Sequence, residues 1–168
     1  MQKVVILRGA PATGKTTALH NLRKRKEMKN WVVIDFQQLK KQFEHLGEEK
    51  RRLYGKQALF STLKILMSQK LNILFDEMYG GAIKRELKYY LKKYNYKIIP
   101  LEFTSDIKTA ISREAERRLK KGLKPRGEKW VKQTHKERLE LFEKNSIMID
   151  TTNMNQKQVV NFIIRKIL

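Results

Sequence analysis

Val4-Val5-Ile6-Leu7-Arg8-Gly9-Ala10-Pro11-Ala12-Thr13-Gly14-Lys15-Thr16 decides the fold of this 168-residue chain. The last eight residues spell G-x-x-x-x-G-K-T, and the apolar run ahead of them reads as a buried strand. A strand, this octet and a following helix make a phosphate-binding loop. The chemistry dictates the residue types. Backbone N–H groups must turn inward around phosphate oxygens, which asks for positive φ and little side-chain bulk. Gly9, Ala12, Thr13, Gly14, Lys15, Thr16 and Thr17 are the expected contacts to a nucleoside triphosphate such as ATP. Lys15 bridges the β- and γ-phosphates, and the Thr16 hydroxyl offers a ligand to Mg²⁺. The helix behind, expected to run to about Lys26, turns the positive end of its dipole toward the phosphates.

Outward from this loop, short apolar runs alternate with longer amphipathic stretches, the pattern of an α/β parallel sheet covered by helices. The strands expected are Lys3–Arg8, Trp31–Asp35, Asn72–Asp76, Tyr96–Phe103 and Ser146–Thr151. The helices expected are Gln37–Gly47, Glu49–Lys70, Ala82–Tyr94, Ser105–Lys121, Glu128–Glu143 and Asn155–Ile167, with Thr104-Ser105-Asp106 as an N-cap cluster. No repeat, low-complexity linker or Pro/Gly-rich boundary interrupts the chain, so residues 1–168 read as one domain.

Composition narrows the function classes. The chain carries 38 Lys and Arg against 17 Asp and Glu, a net charge of +21, which favours encounters with polyanions. Solvated Lys-rich helix faces are the plainer reading of the same count. Cysteine is absent, which excludes disulfides and thiolate metal sites. His20, His45 and His135 lack ligand spacing and read as surface or packing residues. No apolar stretch nears the ~20 residues of a membrane span, so a cytoplasmic setting without a membrane partner is expected.

In open α/β sheets ligands sit beyond the carboxyl ends of the strands, and carboxylates stand there. Asp76 closes the strand Asn72-Ile73-Leu74-Phe75-Asp76 and is the expected metal-shell residue beside Thr16, with Glu77 as its alternate. Asp35 ends the neighbouring apolar run and is placed to take the proton of an attacking hydroxyl; capping the helix at Gln37 is its structural alternative. Asp150-Thr151-Thr152-Asn153 ends the last strand, with Asn153 expected near the nucleotide.

Eleven Lys and Arg stand against four Glu between Arg113 and Arg138. Arg113 and Arg117 are spaced i, i+4 and share a helical face, while Arg118 points elsewhere. Followed by the breakers Gly122, Pro125 and Gly127, they read as a lid over roughly residues 113–130 that neutralises a transferring phosphoryl group. Trp130, at its edge, reads as packing for the next helix in preference to a base-stacking platform.

Together, Gly9–Thr16, Asp35, Asp76, the Arg113/Arg117 pair and Asp150–Asn153 resemble the P-loop kinase group of polynucleotide 5′-kinases and zeta-toxin-like kinases. The resemblance implies a three-layer sandwich on a five-stranded parallel sheet of order 2-3-1-4-5. It implies Asp35 as general base and Arg113 and Arg117 as catalytic lid arginines. Arg117 and Asn153 would also touch the nucleotide. Gln38 stands where that group commonly has an acceptor-binding Arg; Lys40, Lys41, Arg51 or Arg52 would have to supply the charge. The expected activity is transfer of the γ-phosphate of ATP, with Mg²⁺, to a hydroxyl, foremost the 5′-end of RNA or DNA. A small-molecule kinase and a nucleic-acid-binding NTPase remain the alternatives.

Overall fold

Val4 to Leu7 are wholly buried, which places their strand, β1 (Lys3–Gly9), in the middle of the sheet. The computed structural model describes residues 1–76, 81–141 and 145–168. β2 (Trp31–Ile34), β3 (Asn72–Asp76), β4 (Lys97–Thr104) and β5 (Ile147–Asp150) join β1 in one parallel sheet of order β2-β3-β1-β4-β5. Val5 pairs with Leu74 on one side and Ile99 on the other. This is the strand order expected from the sequence.

A parallel sheet buried on both faces reads as continuous apolar runs whose side chains alternate between two cores. One face takes Val5, Leu7, Leu74, Leu101 and Phe103, covered by α1 (Lys15–Arg23) and α7 (Gln156–Ile167). The other takes Val4, Ile6, Ile73 and Phe75, covered by α3 (Glu48–Ser68) and α4 (Gly81–Tyr94). In α7 the buried residues Val159, Val160, Ile163, Ile164 and Ile167 recur at helical spacing, and Asn155 opens the helix with a capping box to Gln158. α2 (Phe36–Lys41), α5 (Ile107–Leu119) and α6 (Glu128–Glu140) complete the set.

Element ends differ from the sequence expectation where side-chain caps decide. Asp35 does not end β2; its carboxylate caps α2, accepting from Gln38 N–H at 2.9 Å. The helix expected from Gln37 to Gly47 is the short α2 followed by a 3₁₀ turn at Glu44–Leu46. α1 stops at Arg23, and a 3₁₀ turn at Lys26–Met28 then drops Met28 into the core. Asp106 alone caps α5, bonding Thr109 N–H at 2.8 Å. The expected end of α6 at Glu143 falls outside the described residues. Among the described residues no helix is long and apolar enough to cross a membrane.

Candidate active site

The loop between β1 and α1 has the backbone its sequence asks for. Gly9 has φ 134° and Gly14 has φ 90°, and Ala12 adopts φ 65°, a conformation that costs a residue with a Cβ. Gly9 has a second reason to be glycine: a Cβ there would lie 2.3 Å from the carbonyl oxygen of Phe103 on β4. Thr13 is buried and its hydroxyl donates to Ala10 O at 2.9 Å, closing the loop from inside. Thr16 and Thr17 are exposed on the first turn of α1.

Lys15 folds back over this loop. Its ammonium donates to Ala10 O at 2.6 Å and to Thr13 Oγ1 at 3.4 Å. Burial lowers its pKa from 10.5 to about 8; Asp76 and Glu102 oppose the shift, Arg138 and Arg117 reinforce it. The buried Asp76 stands on the other side. Burial raises its carboxyl, the bond from Phe36 N–H lowers it, the charge of Asp35 raises it and that of Lys15 lowers it. That Phe36 bond, 3.0 Å to Asp76 Oδ1, fixes the start of α2 and with it Asp35. Lys15, Asp76 and Asp35 are thus brought together at one sheet edge. Glu77, the alternate to Asp76, lies outside the described residues.

Mg²⁺ is implied by the fold, and the donors present suit it. A desolvated carboxylate with a raised pKa gains from a cation, and one carboxylate plus one hydroxyl is the sparse oxygen set Mg²⁺ accepts when phosphates and water complete its shell. Asp76 and Thr16 would hold it.

The two lid arginines separate in role. Arg113 is half-buried and clamps Thr151, donating to its hydroxyl at 3.0 Å and its carbonyl at 2.8 Å. The Thr151 hydroxyl in turn lies 3.1 Å from Thr13 O and 3.0 Å from Thr104 O. α5 is therefore tied through Thr151 to the back of the phosphate loop. Arg117, one turn on, is exposed, with its charge near enough to depress the Lys15 pKa. Asn153 is exposed in the turn after β5. Arg118 points elsewhere, as expected, and donates to Lys124 O at 2.8 Å. The Trp130 ring carries the Arg126 guanidinium at 4.3 Å.

On the acceptor side, Arg51 and Arg52 both pair with Glu48, at 2.5 and 2.7 Å, and Lys40 lies over the Phe36 ring at 4.5 Å.

Sequence reading missed three groups. Arg8, Glu102 and Arg138 form a buried charged cluster beneath the loop: Arg138 grips Glu102 with two bonds of 2.8 and 3.1 Å, and Arg8 lies 3.5 Å from it. Arg8 and Glu102 stand inside otherwise apolar strands, where a charge demands a partner, and that was the available signal. His135 on α6 meets Pro11 O at 3.2 Å, and His20 on α1 meets Asp35 at 2.7 Å. Linear spacing carried no sign of either histidine contact.

The Zeta toxin family profile matches residues 2–166. The chain belongs to the Zeta toxin family. Three solved structures place this Zeta toxin family member among P-loop kinase folds. A candidate kinase from Chloroflexus aurantiacus is 15% identical over 99% of this chain and 98% of its own, with a TM-score of 0.72. The tunicamycin resistance protein of Deinococcus radiodurans is 16% identical over 99% and 96%, with a TM-score of 0.71. A chain of the Pnkp1/Rnl/Hen1 RNA repair complex is 20% identical over 84% of this chain and 46% of its own, with a TM-score of 0.61. No curated protein matches the sequence.

Proposed function

We propose that the protein transfers the γ-phosphate of ATP to a hydroxyl, with the 5′-hydroxyl ends of RNA or DNA as acceptor. The carrying observation is the row Lys15–Asp76–Asp35 at the carboxyl edge of β1, β3 and β2, with the Thr16 hydroxyl beside it. Loop amides and Lys15 bind the triphosphate tail. A divalent ion held by Asp76 and Thr16 would draw charge off the β- and γ-oxygens. Asp35 lies one strand from the loop and supplies the negative charge that draws the acceptor's proton. Arg117, exposed near Lys15, stabilises the phosphoryl group in flight, while Arg113 holds the nucleotide side of the loop through Thr151.

The net charge of +21 supports a polyanionic acceptor. A small-molecule acceptor is the second reading. It is favoured by Gln38 in place of a cation and by the engagement of Arg51 and Arg52 with Glu48. Incubation with γ-labelled ATP, a 5′-hydroxyl oligonucleotide and a panel of nucleosides, sugars and aminoglycosides separates the two. Labelled oligonucleotide, with KM rising steeply in salt, is the expected result. A labelled metabolite with a flat salt response supports the second reading, and phosphate release alone overturns both.

A further inference from the structure

Asp35 has both carboxylate oxygens engaged: Oδ1 accepts from Gln38 N–H at 2.9 Å and Oδ2 from His20 at 2.7 Å. Its side chain is 4% exposed, whereas that of His20 is 46% exposed. An acceptor alcohol arriving from solvent therefore meets the imidazole before the carboxylate. A carboxylate partner on Nε2 sets the tautomer, because that nitrogen must carry the hydrogen and leave the Nδ1 lone pair free. Among the described residues, Nδ1 has no hydrogen-bond partner. His20 also stands one turn after Thr16 on the same face of α1, about 5–6 Å between Cβ atoms. The neighbouring Arg23 is turned aside, donating to Val33 O at 2.8 Å.

We propose that His20 is the group that takes the acceptor's proton, and that Asp35 is a positioning residue acting through it. This rests on the phosphotransferase reading above. In the step, the acceptor oxygen forms a bond to the γ-phosphorus as the bond from that phosphorus to the β,γ-bridging oxygen breaks. The electron pair leaves with ADP. The hydroxyl proton passes to Nδ1 of His20, and the imidazolium, held against the Asp35 carboxylate, later yields it to water.

Two substitutions separate this from a purely structural contact. Gln at position 20 carries an amide N–H at the place of Nε2, so His20→Gln keeps the bond to Asp35 but removes the base. His20→Ala removes both. The expected result is a fall in kcat of about 10²–10⁴ in both variants. ATP affinity by calorimetry should stay within about twofold of wild type, and added imidazole should partly restore His20→Ala. A His20→Gln enzyme within a few-fold of wild type overturns the proposal and leaves Asp35 as the base. A wild-type protein that labels no alcohol overturns the phosphotransferase reading and this role with it, so the two failures are distinguishable.

Discussion

The ammonium of Lys15 lies 2.6 Å from the carbonyl oxygen of Ala10, five residues earlier in the same loop. The cation that reaches for phosphate is thus held by the loop itself, and burial brings its pKa down to about 8. A bound triphosphate adds negative charge and favours the protonated form. Free protein therefore loses the required proton above pH 8 while the complex keeps it. Nucleotide affinity should be flat below pH 8 and about tenfold weaker at pH 9. Calorimetry across pH 6.5–9.5 tests this, and Lys15→Ala should erase the limb.

Glu102 is one of two carboxylates whose charge holds the Lys15 pKa up, and it does so from inside the sheet. Glu102→Gln should move the same affinity limb to lower pH. Glu102→Ala should destabilise the fold by about 3–5 kcal/mol, because Arg138 stays buried without the carboxylate it grips. Urea unfolding measures the second effect independently of nucleotide.

Asp76 works against stability. Its folded carboxyl sits above the model value of 3.8, so between 3.8 and that raised value the folded chain holds a proton the unfolded chain has released. Stability from this group rises as pH falls through the folded value and levels off below the unfolded one. Asp76→Asn removes the buried charge while its side-chain oxygen can still accept from Phe36 N–H. The variant should melt higher than wild type at pH 7, with the gap closing toward pH 4. Its phosphate transfer should fall by about a hundredfold or more. Equal melting temperatures at both pH values would refute the argument.

Gly9 has no room for a methyl group. Gly9→Ala sets a Cβ 2.3 Å from Phe103 O, a strand backbone atom that cannot swing away, and forces φ 134° on an L residue. The cost should be roughly 2–5 kcal/mol, with nucleotide binding lost as β1 and β4 part. Gly14→Ala meets nothing within 4 Å and should show only the backbone strain of its φ of 90°. Thermal melts of the two variants side by side distinguish packing from strain.

Much of the architecture could be read along the chain. Apolar runs such as Val4–Leu7 and Ile73–Phe75 are long enough to be strands and are bounded by turn residues, and the G-x-x-x-x-G-K-T octet fixes which strand stands beside the phosphates. Strand ends were less legible, because Asp35 and Asp106 choose between ending one element and capping the next by a single side-chain bond.

Local sequence determined the parallel sheet, the phosphate loop and the carboxylates at the strand ends, since each depends on residues adjacent in the chain. Tertiary structure alone decided the pairings across it. His20 meets Asp35 over 15 residues, His135 meets Pro11 over 124, Arg113 clamps Thr151 over 38, and Arg138 neutralises Glu102 over 36. These contacts arise from the crossing of helices over a twisted sheet. No periodicity encodes which side chains that crossing brings within 3 Å.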